Sequence, residues 1–181
     1  MKRITINAYQ YGLVFKNGVY QHMLKEGRYW LFSNKTAEVY EITKPFAPAL
    51  DLHILLKDAE LTEALHVVEV KDNHIALMYE NGLLPRILTT GQHAFWKGTK
   101  EYAFVDADIS KVEIPEVFDR ATLQHPLVAG YIRTAFVEAY EKGVLFVDGK
   151  YARTLDSGFY CWWKNNGVLL DQLRRLFSPP K

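Results

Sequence analysis

The chain has 181 residues, 49 % of them hydrophobic, with 22 basic and 21 acidic residues for a net charge of +1. That is enough for one domain or two small ones with a real core, and the near balance of charge argues against a nucleic-acid partner or strong steering to anionic membranes. A single cysteine, Cys161, excludes a disulfide framework and a thiolate metal cluster. In the run Tyr160-Cys161-Trp162-Trp163 the thiol reads as a small buried apolar residue.

The N-terminus, MKRITINAYQ, has no apolar h-region and is read as carrying no signal peptide. No stretch approaches the length of a transmembrane helix. A reducing, cytoplasmic setting follows as an expectation, with membrane association peripheral and through a partner.

An internal repeat organises the rest. Residues 12–32, 76–96 and 143–163 align without a gap. In each, Asn17-Gly18, Asn81-Gly82 and Asp148-Gly149 predict a two-residue hairpin turn of type I′, which needs positive φ at both positions. The return strands end at Leu24, Leu88 and Leu155. A second glycine follows at Gly27, Gly91 and Gly158, where a type I turn with a left-handed residue is expected. A third, aromatic strand follows, holding Trp30 and Phe32 in the first copy, Trp96 in the second, and Trp162 and Trp163 in the third. Ile6, Val70 and Val137 mark entry strands ahead of each hairpin.

Between copies, EVYEITKPFAP and YAFVDADISKVEIPEVF read as further strands ended by prolines. KDAELTEAL predicts a helix of two or three turns capped by Asp58. The stretch 117–134 stays ambiguous because Pro126 and Gly130 interrupt a long helix. The tail reads either as a short amphipathic helix with Leu169, Leu173 and Leu176 on one face or as a strand. The fold class expected is mainly β with minor α: three antiparallel hairpin units, residues 1–50, 51–115 and 116–181, sharing a core because each is too small to bury one alone.

The hairpin VLFVDGKYARTLDSGFYCWW and its two copies resemble the opening of the SPFH or band 7 domain of stomatins, prohibitins, flotillins and bacterial slipins. Most of residues 1–165 resembles the region ahead of the band 7 domain in slipin-like proteins. The family's band 7 body and coiled-coil tail are not visible. The resemblance implies a scaffolding role without shared catalytic residues.

No histidine pair has metal-ligand spacing, and no P-loop, nucleophile elbow or triad pattern is present. No cofactor is therefore expected. Asp106 and Asp108 alternate on a predicted strand, so both carboxylates share a face. With no histidine near them in sequence, they read as a solvated face rather than as the acid–base pair of a hydrolase. The aromatic residues Trp30, Phe32, Trp96, Trp162 and Trp163 are the candidate contact surface. In Trp162-Trp163 the side chains must point to opposite faces. The leading expectation is a non-enzymatic protein-interaction or scaffold module that self-associates. The alternative is a small-ligand or glycan-binding protein that stacks its ligand on the repeated rings.

Overall fold

The computed structural model of the protein describes residues 1–164 and a strand at 174–177. Strands hold 54 % of the described residues and helices 10 %, the mainly β, minor α balance that the hairpin repeats predict. The rest of the tail, with Leu169 and Leu173, lies outside the described residues, and Leu176 is described only as part of that strand.

The first copy holds five strands: β1 (Lys2–Ile6), β2 (Gln10–Lys16), β3 (Val19–Leu24), β4 (Gly27–Leu31) and β5 (Lys35–Glu41). β1 pairs with β4 in a two-stranded antiparallel sheet, and β3, β2 and β5 form a second sheet with β2 in the middle. The second copy repeats this as β6 (Leu65–Val70), β7 (His74–Glu80), β8 (Leu83–Leu88), β9 (Gly91–Trp96) and β10 (Tyr102–Asp108). The third does so as β11 (Ile132–Val137), β12 (Glu141–Val147), β13 (Lys150–Leu155), β14 (Gly158–Trp163) and β15 (Arg174–Phe177).

The turns explain why the copies agree. Asn17 and Gly18 have φ of 51° and 79°, Asn81 and Gly82 have 51° and 81°, and Asp148 and Gly149 have 50° and 72°. These are the paired positive values that a type I′ turn requires. The second glycines differ from expectation. Gly27, Gly91 and Gly158 have φ of 154°, 130° and 154° and open the next strand rather than closing a turn in the left-handed helical region. A side chain in the turn region binds the carbonyl ahead of each of them. Tyr29 Oη donates to Lys25 O at 3.1 Å and Tyr160 Oη to Asp156 O at 2.9 Å. His93 Nε2 lies 2.8 Å from Thr89 O, so that nitrogen carries the proton.

Each copy closes around the same four positions. Ile6, Val14, Leu24 and Leu31 form one buried cluster, and Val137, Leu145, Leu155 and Trp162 form its equivalent. Val70, Met78, Leu88 and Phe95 occupy those positions in the second copy and are also buried. The neighbouring residue on β2, Leu13, points to the other face. There it joins Met23 in a different cluster with Leu55, Leu61, Leu65, Ala94 and Trp96 of the second copy. The first and second copies therefore share a core.

Short helix pairs precede the entry strands of copies two and three: α1 (Leu52–Leu55) with α2 (Ala59–Glu63), and α3 (Arg120–Leu123) with α4 (Pro126–Ala129). The helix expected over KDAELTEAL is a single turn, because Leu65 must already be extended to pair with Trp96. Asp58 caps α2 as predicted, accepting from the Glu60 and Leu61 amides. The ambiguous 117–134 stretch resolves into two single turns, with Pro126 at the first position of α4. The chain divides into two compact units, one of residues 1–70 and 78–104, the other of residues 71–77 and 105–181.

Asp58 does more than cap. Its Oδ2 accepts from Tyr20 Oη at 2.6 Å and from the Met23 amide at 3.2 Å, tying β3 of the first copy to α2. Burial and this hydrogen bond to Asp58 push the Tyr20 phenol well above its usual range. Burial alone would raise the Asp58 carboxyl, but the bonds from Tyr20 and from the Leu61, Glu60 and Met23 amides together outweigh it and hold the carboxyl below its usual range. Asp58→Ala is expected to cost about 2–3 kcal/mol, read as a lowered urea midpoint, and Asp58→Asn, which keeps a capping oxygen, about 1 kcal/mol. The stabilisation from the depressed carboxyl is complete above about pH 4, the unfolded value. It is lost as pH falls through the lower folded value, so D58A and the wild type should converge in stability on acidification.

Candidate functional site

The two-stranded sheet of each copy presents an outer face, and the three faces meet different fates. In the first copy, register places Arg3 opposite Trp30 and Thr5 opposite Arg28. In the second it places Leu65 opposite Trp96 and Val67 opposite Ala94. In the third it places Ile132 opposite Trp163 and Thr134 opposite Cys161.

The helix pairs account for the difference. Leu55 of α1 and Leu61 of α2 pack with Leu65, Ala94 and Trp96, so the second face is covered at these residues, while Val67 beside Ala94 stays partly exposed. Across the third face, α3 and α4 bring Arg120, Leu123, Gln124 and Ala129 opposite the strands. Ile132, Thr134, Phe159 and Cys161 form the other wall, and a cleft of about 670 Å³ remains between them. Among the described residues no helix covers the first face, where Trp30 is 60 % and Phe32 64 % exposed.

Of the five aromatic candidates, only those two are at the surface. Trp96, Trp162 and Trp163 are each 1 % exposed. The Trp96 ring meets Phe46 at 4.6 Å and Tyr11 at 5.2 Å between centroids. Trp162 stacks on Tyr160 at 5.9 Å within its copy's four-position core. Trp163 takes the opposite face, edge-on to Phe118 at 5.3 Å. Alternation along β14 does send the adjacent tryptophans to opposite sides, yet both sides are covered, so neither presents a binding face. Trp96 and Trp162 offer no stacking platform to a ligand.

The repeat makes the contrast sharp. Trp30, Ala94 and Cys161 are equivalent, and the residue is small wherever a helix pair lies above it. Cys161 is half-buried with a free thiol. Burial pushes that thiol above its usual range, and the Arg120 guanidinium partly opposes the shift.

Asp106 and Asp108 have a partner that sequence distance concealed. His74 on β7 lies beside them, with Nδ1 2.8 Å from Asp106 Oδ2 and Nε2 4.0 Å from Asp108 Oδ1. The equivalence of β7 with β2 and of β10 with β5, which pair in the first copy, was the available signal for this proximity. Asp108 also accepts from the Ser110 hydroxyl and amide, which hold its carboxyl below the usual range. Lys111 adds an ion pair at 3.8 Å. Among the described residues no group of histidine, cysteine and carboxylates is arranged to hold a metal ion, and no helix is long and apolar enough to cross a membrane.

The indole N–H groups of Trp96 and Trp163 are buried without a hydrogen-bond partner among the described residues, so their role is packing. Trp163→Ala is expected to cost about 3–5 kcal/mol, Trp163→Phe far less, and Trp30→Ala under about 0.5 kcal/mol. Urea unfolding of the three variants checks this ordering. Comparison of the chain with protein-family models, with curated proteins and with solved structures finds no match.

Proposed function

We propose that the chain is a non-enzymatic protein-interaction module built from band 7-type hairpins, which joins a second copy of itself through the outer face of β1 and β4. The observation that carries this reading is Trp30. It stands exposed at the position where the copies that carry a helix pair above the sheet have alanine and cysteine. A helix pair lying as close as α1 and α2 do would have no room for that indole, so a different surface completes the first face. Tryptophan and arginine are the residues enriched where proteins meet. Arg3 lies directly opposite Trp30, so a twofold pairing can set each guanidinium on the other copy's ring.

The band 7 resemblance supports a scaffold that gathers partners, with any membrane association peripheral and borrowed from one of them. The face is small, so the dimer should be weak, micromolar or weaker. Sedimentation velocity from micromolar to millimolar concentration tests this. The expected result is a reversible dimer that becomes monomeric in the Trp30→Ala, Phe32→Ser double variant, with an unchanged urea midpoint. A wild-type chain that stays monomeric across the whole range would overturn the reading.

A further inference from the structure

The helix pair of the third copy does not close on its sheet as that of the second does. In the second, Phe46 from the connecting segment packs on Trp96 among Leu52, Leu56 and Leu61. In the third copy the equivalent segment runs elsewhere. Val112 joins the cluster of Trp162, and its carbonyl accepts from the Trp163 amide at 3.1 Å. Glu113 bridges to Trp162 and pairs with Arg153 at 3.1 Å. Phe118, further along, packs edge-on to Trp163 at 5.3 Å as Phe46 does to Trp96, and beside it the space between α3–α4 and the sheet stays open.

We propose that this cleft binds a small amphipathic carboxylate. Its size, about 670 Å³, is in the span of small-molecule sites. Leu123, Ala129, Ile132, Phe159 and Cys161 supply an apolar wall for a hydrocarbon or aryl chain. The polar groups are few: Arg120, which only donates, with Gln124 and the Thr134 hydroxyl, each able to donate as well as accept. The Arg120 guanidinium lies 5.8 Å from the centre of the Phe159 ring, held over the apolar wall. The adjacent carboxylate, Asp119, is turned away to cap α3 through the Thr122 amide at 2.8 Å. A fixed cation beside a greasy floor selects a chain ending in a carboxylate over a neutral chain or a free sugar.

Because Cys161 is the one cysteine of the chain and lines the cleft, its alkylation reports occupancy. Decanoate below its micelle concentration is the probe, read by calorimetry and by the rate of Cys161 alkylation with iodoacetamide, and decanol is the neutral control. One decanoate should bind per chain and slow the alkylation several-fold. Arg120→Gln should weaken decanoate about tenfold while leaving decanol unchanged, since a hydrogen bond to a charged group is worth that much. Thr134→Trp or Ala129→Phe, each with an unchanged circular dichroism spectrum, should fill the cleft and abolish both binding and protection. The inference is overturned if decanoate neither saturates nor protects Cys161, if R120Q binds it as well as the wild type does, or if the filled variants still bind.

Discussion

A strand that is apolar on both faces cannot be satisfied by a single hairpin. Leu13 and Val14 are adjacent on β2 and both are buried, one toward the second copy's helices and the other into its own four-position cluster. The equivalent stretch of β7, Ile75 to Met78, is buried at every residue. Alternation sends successive side chains to opposite faces, so such a strand must be covered twice. Its own two-stranded sheet supplies one cover. The other face of β2 is covered by the helices and strands of the following copy. This requirement ties the first two copies together, and it makes the helix pairs part of the core despite their being single turns that could not persist alone.

The same requirement separates structural aromatic residues from surface ones. Phe32, Trp96 and Trp163 occupy one repeat position, yet the first is exposed and the other two are buried, Trp96 against Phe46 and Trp163 against Phe118. Two residues earlier on the same face the pattern inverts: tryptophan where the face is bare, alanine where it is covered, and cysteine where a cleft separates it from the helix pair. Recurrence of rings therefore reports the shared fold. Departure from recurrence, as at Trp30, marks the place where the surface of one copy differs from that of the others. The cleft in the third copy, between α3–α4 and its two-stranded sheet, is a second departure.

The polar sites follow the same logic of proximity. His74 lies within hydrogen-bond distance of Asp106 and beside Asp108 on adjoining strands, with Asp106 largely in water. Exposed pairs of this kind contribute little to stability. Asp58 is the more consequential carboxylate, because it satisfies a helix end, a strand amide and a phenol at once.

Much of the fold was written in local chemistry. Asparagine or aspartate before glycine dictates paired positive φ, and three such turns at matching offsets determined the hairpins, their number and their ends. Asp58 as a helix cap and the strand character of the connecting segments were legible for the same reason: each depends on neighbours in the chain. The sequence could not say which of five similar aromatic residues would be covered, that His74 would lie beside Asp106 and Asp108, or that one helix pair would close on its sheet while the other left a cleft. Those outcomes depend on which surfaces meet across tens of residues. Burial is a property of the whole packed arrangement, and identical strands carry no record of what is laid over them.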